Sequence, residues 1–226
     1  MEALIRWFDE DLGFIPPDHF IPYAEEYGLM GEMSEWVIAE AGRQAKRWNE
    51  QYDLNLRVAV NISPKHLAQA NFIERLSEIL RENEIDPSSL EIEITEMSLL
   101  DQNMDLSNKI EKIKRLGITL SIDDFGTGYS SLSYLKNFPV DALKIDRSFI
   151  HQMNKNSADI AMVSAIIALA RALKLQVVAE GVEEFEDLQL LRELGCEYIQ
   201  GYYYSRPLTV REFTKRLDDQ GDKIEH

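Results

Sequence analysis

Two adjacent carboxylates, Asp123 and Asp124, follow a hydrophobic segment and precede the Phe-Gly-Thr-Gly sequence of a tight loop. Neighbouring carboxylates that point into one site resist ionisation unless a cation compensates their charge. Carboxylate and amide side chains also recur at the ends of other apolar segments and on the opening segment, at Glu2, Asn61, Glu93 and Glu180. Because oxygen ligands of this kind suit Mg²⁺ or Mn²⁺ and not zinc, these residues predict a site for hard divalent cations.

The number of oxygen donors favours two ions over one. Mg²⁺ keeps several waters and takes few ligands from protein, so six donors are better used by two ions about 3.5–4 Å apart that share a carboxylate. Such a pair is typical of in-line displacement at phosphorus, where Lys144 could hold or deprotonate the attacking water. A structural interpretation is open for each residue alone, with the aspartates as a strand-end cap and Lys144 in a surface ion pair.

The four histidines join no ligand set, because their positions follow no metal-binding spacing. We interpret them as surface or loop residues: His19, His66, His151 and His226. The Asp124-Phe125-Gly126 tripeptide does not indicate a kinase, since the chain has no Gly-rich phosphate loop, strand lysine or catalytic-loop His-Arg-Asp.

Apolar residues at three- and four-residue spacing predict the helices. In the segment 34–51 the predicted buried stripe is Trp36, Val37, Ala41, Ala45 and Trp48. The other predicted helices are 72–80, 106–116, 158–173, 188–194 and 210–217. For the last of these, Thr209 and Glu212 have the spacing of a capping box.

Short apolar segments between the helices predict buried parallel strands. They lie at 56–60, 90–94, 119–122, 142–145, 176–179 and 198–199, and a stub at 3–5 opens the chain. Strand–helix alternation predicts an α/β fold. In a parallel barrel all carboxyl ends of strands meet at the face that holds the active site. That face would collect Asn61, Glu93, Asp123, Asp124, Lys144, Glu180 and Gln200.

Composition predicts one domain, residues 1–216, followed by a polar tail, 217–226. The 24 Lys and Arg residues against 40 Asp and Glu residues give a formal net charge of −16. Such a charge repels long nucleic acids and anionic membranes. The single cysteine, Cys196, is expected to be a packed, inert thiol in a reducing cytoplasm. We expect no signal peptide and no membrane insertion.

Several motifs, in order along the chain, resemble those of the EAL domain family. The opening Glu2-Ala3-Leu4, with Arg6 and Trp7, matches the signature from which that family takes its name. Further matches are GFIPPDHFIPYAEEYGL (13–29), VNIS (60–63), EITE (93–96), DDFGTGYSSLSYLKNFPVDALKIDRSFI (123–150), VVAEGVEE (177–184) and CEYIQGYYYSRPL (196–208). The resemblance implies a TIM-type (β/α)₈ barrel with one antiparallel strand. It also implies a metal-dependent phosphodiesterase that hydrolyses the bacterial second messenger cyclic di-GMP to linear pGpG.

The same resemblance implies a role for each matched residue. The ligands of the first ion would be Glu2, Asn61, Glu93 and Asp123. The ligands of the second would be Asp123, Asp124 and Glu180, with Asp123 bridging the two ions and Glu180 also counted as catalytic. Three further residues would have catalytic roles. Lys144 would hold the nucleophilic water, Gln200 would help to order water near the metals, and Glu96 would brace the loop 124–131. The substrate contacts would be Arg6, for a phosphate, with Leu4 and Asp146.

The resemblance also implies partners and one missing element. The family's first strand, with a Gln-Pro-Ile-type motif, is expected upstream of Met1, so the chain is interpreted as N-terminally truncated. The implied partners are cyclic di-GMP, a second copy in a homodimer, and an upstream sensory or GGDEF-type domain. Two alternatives remain open: a module that binds cyclic di-GMP without turnover, and a Mg²⁺-dependent barrel enzyme in which Lys144 is a base.

Overall fold

The computed structural model describes residues 1–100, 106–128, 135, 138–151 and 153–221. The chain divides into two compact units. The first unit comprises Met1–Glu93 and Lys112–Thr119, and the second comprises Ile94–Glu111 and Leu120–His226. Strands and helices alternate in both units, as the sequence predicted, so the α/β class is confirmed.

The first residues of the first unit pair with β3 (Val58–Asn61) over a very short distance. Glu2 forms an isolated parallel bridge with Ala59. Ala3 N donates to Ala59 O at 2.9 Å, and Ala59 N donates to Met1 O at 2.8 Å. The predicted strand at 3–5 is therefore wrong, because the chain leaves β3 after Ala3 and enters a hairpin of β1 (Trp7–Asp9) and β2 (Gly13–Ile15).

Helices and two parallel strands form the rest of the first unit. The helices are α1 (Pro17–Glu26), α2 (Met30–Tyr52), α3 (Pro64–Ala68) and α4 (Phe72–Glu82). The last residues of α5 (Leu106–Leu116), from Lys112 onward, also belong to this unit. Strand β3 pairs in parallel with β4 (Leu90–Thr95), and this register places Asn61 beside Glu93. A 3₁₀ turn, Pro87–Ser89, precedes β4, and another, Glu96–Leu100, follows it.

The predicted buried stripe of α2 is wrong at its first two members, because neither Trp36 nor Val37 is among the buried residues of the helix. The buried residues are Ser34, Ile38, Ala41, Ala45 and Trp48 at three- and four-residue spacing, with Gly31 and Gly42. Trp36 is 57% exposed instead. It lies five residues before Ala41, which is about 140° around the helix at 3.6 residues per turn.

The second unit contains a run of parallel strands joined by helices. The strands β5 (Thr119–Phe125), β6 (Ala142–Ile145), β7 (Gln176–Ala179) and β8 (Tyr198–Ile199) pair in that order. The helices are α6 (Arg147–Ile150), α7 (Ser157–Leu173), α8 (Phe185–Leu194) and α9 (Val210–Gly221), and Met153–Lys155 is a 3₁₀ turn. The capping box before α9 is confirmed, since Glu212 N donates to Thr209 Oγ1 and Thr209 N to Glu212 Oε2. Helix α9 runs four residues past its predicted end, while the domain boundary at 216 stays a prediction.

Apolar side chains fill each unit's own interior. In the first unit Ile38, Val60 and Leu76 are buried, and in the second Leu120 and Leu143 are buried. Cys196 is buried as expected, and this burial raises the pKa of its thiol. In the part of the chain that the structure describes, no helix is both long and apolar enough to span a bilayer.

One histidine does not follow the sequence interpretation. His66 lies on α3 and is 1% exposed, with its ring edge-on to Phe72 at 4.9 Å between centroids. Desolvation lowers its pKa below the usual 6.5, against an opposing effect of Glu35. A five-residue helix is too short to show periodicity, so this burial could not be predicted from the pattern of apolar residues. His19 and His151 are exposed, and His226 lies outside the described residues.

Candidate active site

A β-bulge places the two adjacent aspartates at the end of β5. The pairing between β5 and β6 joins Ile122 to Leu143 and then Phe125 to Ile145, so Asp123 and Asp124 together lie opposite Lys144. Asp124 adopts a left-handed conformation at φ +55°. In a regular strand adjacent side chains point to opposite faces, and a bulge redirects a side chain at such a point. The bulge therefore explains how neighbouring carboxylates can serve one site.

The buried ammonium of Lys144 lies between two carboxylates from the neighbouring strands. Lys144 is 2% exposed. Its Nζ is 2.6 Å from Glu180 Oε1 and 3.4 Å from Asp123 Oδ1. Strands β5, β6 and β7 are adjacent, so the ends of three strands bring these charges together. The alternative of a surface ion pair for Lys144 is wrong, since its ion pairs are buried, and the structure brings Asp123, Lys144 and Glu180 together as the sequence predicted.

Asp124 lies in a region of concentrated negative charge. Partial burial of its carboxylate is the main cause that raises its pKa above the ordinary value of 3.8. The charges of Asp123 and Asp146 raise this pKa further, while Lys144 lowers it. Asp146 also caps α6, because its Oδ1 accepts hydrogen bonds from the main chain and the hydroxyl of Ser148. An added cation would relieve the repulsion at Asp124.

Glu96 holds the start of the loop that follows β5. Its Oε2 accepts hydrogen bonds from Gly126 N at 2.7 Å and from Gly128 N at 3.3 Å, and Glu96 is 1% exposed. A side chain at Gly128 would approach Glu96 Oε1 to 2.9 Å. These contacts agree with a bracing role for the described part of the loop, while its residues 129–131 lie outside the described residues.

The loops that carry Glu180 and Gln200 are joined through main-chain hydrogen bonds. Val182 N donates to Gln200 O at 3.1 Å, and Val182 O accepts from Tyr203 N at 3.0 Å. Gly201 lies so close that an added Cβ would be 2.2 Å from Val182 O and 2.4 Å from Val182 N. Glycine is therefore required at 201 for this approach, which fixes the loop after β8 against the loop after β7.

The first unit brings its own polar residues together. The Asn61 side chain donates through Nδ2 to Glu2 Oε1 at 2.7 Å. Ile62 N donates to Glu93 O at 2.9 Å, so the ends of β3 and β4 remain in register. Glu93 is 2% exposed. Asn61 at the end of β3 thus lies beside Glu93 on β4, as the sequence predicted, and its side chain also contacts Glu2.

The predicted substrate residues of the opening segment are exposed. Leu4 is 44% exposed. Arg6 is exposed, and its guanidinium donates to Ile5 O at 2.8 Å. Their proposed contacts with substrate stay predictions. Sequence reasoning missed the two glycines bound by Glu96 and the close approach at Gly201. The only available signal was the density of glycines in these two loops.

The donor set of the second unit fits a hard divalent cation by its chemistry. Its carboxylates offer oxygen ligands, and the charges of Asp123 and Asp146 add to burial in raising the pKa of Asp124. Among the side chains that the structure describes, no group of three or more His, Cys, Asp or Glu residues is drawn together closely enough to hold a metal ion. The ligand assignments therefore remain predictions.

A family profile described as "EAL domain" matches residues 1–207. The chain therefore belongs to the EAL domain family, as its motifs predicted. The solved structure of the PaMucR phosphodiesterase in complex with c-di-GMP is 40% identical, with a TM-score of 0.90 over 94% of this chain and 86% of that one. This similarity confirms the predicted fold, the EAL form of the TIM-type α/β barrel.

Two curated relatives are similar over most of this chain. The cyclic di-GMP phosphodiesterase PdeR of Escherichia coli (strain K12) is 40% identical over 215 residues, which cover 95% of this chain and 32% of PdeR. The bifunctional diguanylate cyclase/cyclic di-GMP phosphodiesterase MucR of Pseudomonas aeruginosa is 42% identical over 213 residues, 94% of this chain and 31% of MucR. The chain thus spans a little under a third of the length of these relatives.

Proposed function

We propose that this domain is a metal-dependent phosphodiesterase that hydrolyses cyclic di-GMP to linear pGpG. The observation that carries the proposal is the buried Lys144 between Asp123 and Glu180 at the ends of three adjacent strands. Family membership supports the substrate, because PdeR is named a cyclic di-GMP phosphodiesterase and PaMucR is solved with c-di-GMP.

The proposed reaction adds water across one of the two phosphodiester bonds of the ring. The water oxygen joins phosphorus, the bond to the ribose 3′ oxygen breaks, and that oxygen takes up a proton. Lys144 is proposed to hold the attacking water, since its ammonium is a donor fixed by two carboxylates. Gln200 is proposed to help order this water, and Arg6 to bind a phosphate of the substrate.

The proposed cofactors are two Mg²⁺ or Mn²⁺ ions. When bound, they supply positive charge that stabilises the attacking and leaving oxygens of an in-line displacement. Glu2, Asn61 and Glu93 are the proposed ligands from the first unit. Asp123, Asp124 and Glu180 are the proposed ligands from the second unit, where a cation would offset the repulsion of Asp124 by Asp123 and Asp146.

The test is to incubate the purified protein with cyclic di-GMP and to separate the products by chromatography. We expect linear pGpG to form with Mg²⁺ or Mn²⁺, to stop with a chelator, and to resume with excess metal. Ca²⁺ is expected to inhibit, because it takes a larger and looser coordination shell. Cyclic di-GMP binding by calorimetry with no product after long incubation would contradict the proposal and favour the module that binds without turnover.

The remaining partners are proposals that rest on the family. A homodimer and a neighbouring sensory or GGDEF-type domain are proposed, and the second is supported by the cyclase activity in the name of MucR. A cytoplasmic location is proposed because the family's substrate is an intracellular messenger. Sedimentation of the purified protein over a range of concentrations tests the dimer, and a single monomeric species throughout would contradict it.

A further inference from the structure

The first unit has an apolar cavity that the proposed chemistry does not use. It lies between the β1–β2 hairpin and helices α1 and α2, and its volume is about 750 Å³. Five aromatic side chains contribute to its wall: Trp7, Phe20, Tyr23, Tyr27 and Trp36. A volume of this size is typical of specific binding sites.

The wall of the cavity contains one aromatic contact and several exposed rings. The rings of Trp7 and Phe20 meet edge to face at 5.6 Å between centroids and fix the hairpin against α1. Four of the lining rings are exposed: Trp7 by 46%, Tyr23 by 64%, Tyr27 by 73% and Trp36 by 57%. Concentrated exposure of large apolar side chains marks a surface that binds a partner. We call the set of Trp7, Tyr23, Tyr27 and Trp36 the aromatic groove.

The segment that forms the aromatic groove is mainly acidic, although Lys65 and Arg75 pair with two of its carboxylates, Glu25 at 3.5 Å and Glu35 at 2.8 Å. Residues 7–36 contain eight Asp and Glu residues and no Lys or Arg, so half of the net charge of −16 comes from this segment. Glu32 lines the cavity itself. Asp18 and Glu26 are exposed on α1. An occupant with positive charge is therefore favoured by simple electrostatics.

The charge decides between the classes of occupant. A second copy of this chain would bring two such acidic segments together, and an anionic membrane would be repelled in the same way. Aromatic faces attract Lys and Arg side chains, which matches the groove to a basic polypeptide. The cavity is bordered by two helices, and an amphipathic helix is the element that lays an apolar face into such a groove.

We propose that the aromatic groove binds a basic amphipathic helix of another polypeptide. Apolar side chains spaced by three and four residues enter the cavity, and flanking Lys or Arg side chains meet Glu32 and the acidic residues of α1. This inference does not depend on the phosphodiesterase activity, because none of its residues belongs to the proposed active site.

The probe is a fluorescein-labelled peptide of about 18 residues, long enough to form a helix in isolation. Leu occupies one face and Lys the other. One control peptide has the same Leu positions with Glu in place of Lys, and a second has the Leu and Lys residues scrambled so that no apolar face remains. Binding to the whole protein is measured by fluorescence anisotropy. We expect the Leu/Lys helix to bind at least about tenfold more tightly than either control.

Substitutions in the protein locate the binding site. Trp36→Ser and Tyr27→Ser remove rings that are 57% and 73% exposed, so little loss of stability is expected, and each should weaken binding about tenfold. Glu32→Lys is expected to weaken binding most at low salt, since exposed charges are screened by salt. The matched control is Tyr204→Ser, which removes a ring of the second unit that is 49% exposed and should leave binding unchanged.

Four results would overturn the proposal. Equal binding of the Lys and Glu helices would exclude the electrostatic basis, and unchanged binding after Trp36→Ser with Tyr27→Ser would place the peptide elsewhere. Dimerisation that is lost in the same double variant would identify a second copy as the occupant. Sedimentation with zwitterionic vesicles that depends on Trp36 would identify a lipid surface.

Discussion

The two units hold their proposed functional residues in different ways. In the first, Glu2 is placed by one bridge to Ala59 and by a side-chain hydrogen bond from Asn61. In the second, Asp123 lies at a bulge in a strand paired with β6 and contacts a buried lysine. Main-chain pairing thus fixes Asp123 over several residues, whereas a few hydrogen bonds fix Glu2. Side-chain substitutions at the ends of β5, β6 and β7 should therefore act on the proposed chemistry with the fold intact.

The largest effect is expected for Lys144→Met. The variant removes the ammonium that we propose holds the attacking water, so turnover of cyclic di-GMP should fall by about 10²–10⁴-fold. The matched control in the first unit is Lys46→Met, since Lys46 also forms an ion pair, at 2.8 Å from Glu84, but on the surface. Product formation measured by chromatography should be unchanged in that control. Retention of more than about a tenth of the activity in Lys144→Met would rule out its role in holding water.

A smaller loss is expected for Glu96→Ala. The variant leaves Gly126 N and Gly128 N without the charged acceptor that holds the loop after β5. Hydrogen bonds to charged groups contribute about 1.5–3 kcal/mol, so turnover should fall by roughly 10- to 100-fold if the bond supports the transition state. Glu91→Ala is the control from the first unit, where Glu91 is 3.8 Å from Arg57. Equal activity in the two variants would contradict the bracing role.

Two glycine substitutions compare the cost of a steric clash with the cost of backbone strain. Gly201→Ala places a Cβ against the Val182 main chain and should lower the free energy of unfolding by about 1–3 kcal/mol. Gly13→Ala, in the hairpin of the first unit, meets no atom within 4 Å and has only a left-handed φ of +72°, at a cost of about 1 kcal/mol. Urea unfolding measures both. If Gly13→Ala lowers the free energy of unfolding by more than Gly201→Ala does, the close approach at Gly201 is not what fixes the loop.

The smallest effect concerns pH and the buried histidine of the first unit. Burial lowers the pKa of His66 in the folded chain below the 6.5 of the unfolded chain. Stability from this difference is complete above pH 6.5 and is lost as the pH falls toward the folded pKa, by up to about 1.4 kcal/mol per pH unit. His66→Leu should therefore lose less stability than the wild type between pH 7.5 and 5.5 in urea unfolding. The same acid sensitivity in both proteins would show that other groups cause it.

Short apolar segments were enough to predict the last three strands, whereas β3 begins two residues later than predicted and β5 ends three residues later. The strands β6, β7 and β8 have the predicted bounds. Glu180 directly follows β7, and Gln200 directly follows β8. The bulge at Asp123 could not be predicted, because it depends on how β5 pairs with β6.

The hairpin of the first unit was missed for a different reason. Each of its strands has three residues, too few to show alternation, and the turn between them consists of Glu10, Asp11 and Leu12. The exposure of Trp36 was missed because the predicted stripe followed apolar residue type, while the position on the helix decides burial. Roles taken from the family motifs, such as that of Arg6 toward a phosphate, required the resemblance and could not come from the spacing alone.

The most direct test of the proposed function is the rate of pGpG formation against free Mn²⁺, with wild type and Asp123→Asn side by side. Circular dichroism first checks that both proteins are folded. We expect product formation in the wild type to rise with Mn²⁺ and to saturate, and Asp123→Asn to form no product at any concentration. Turnover by Asp123→Asn at the wild-type rate, or product formation by the wild type without divalent metal, would contradict the account.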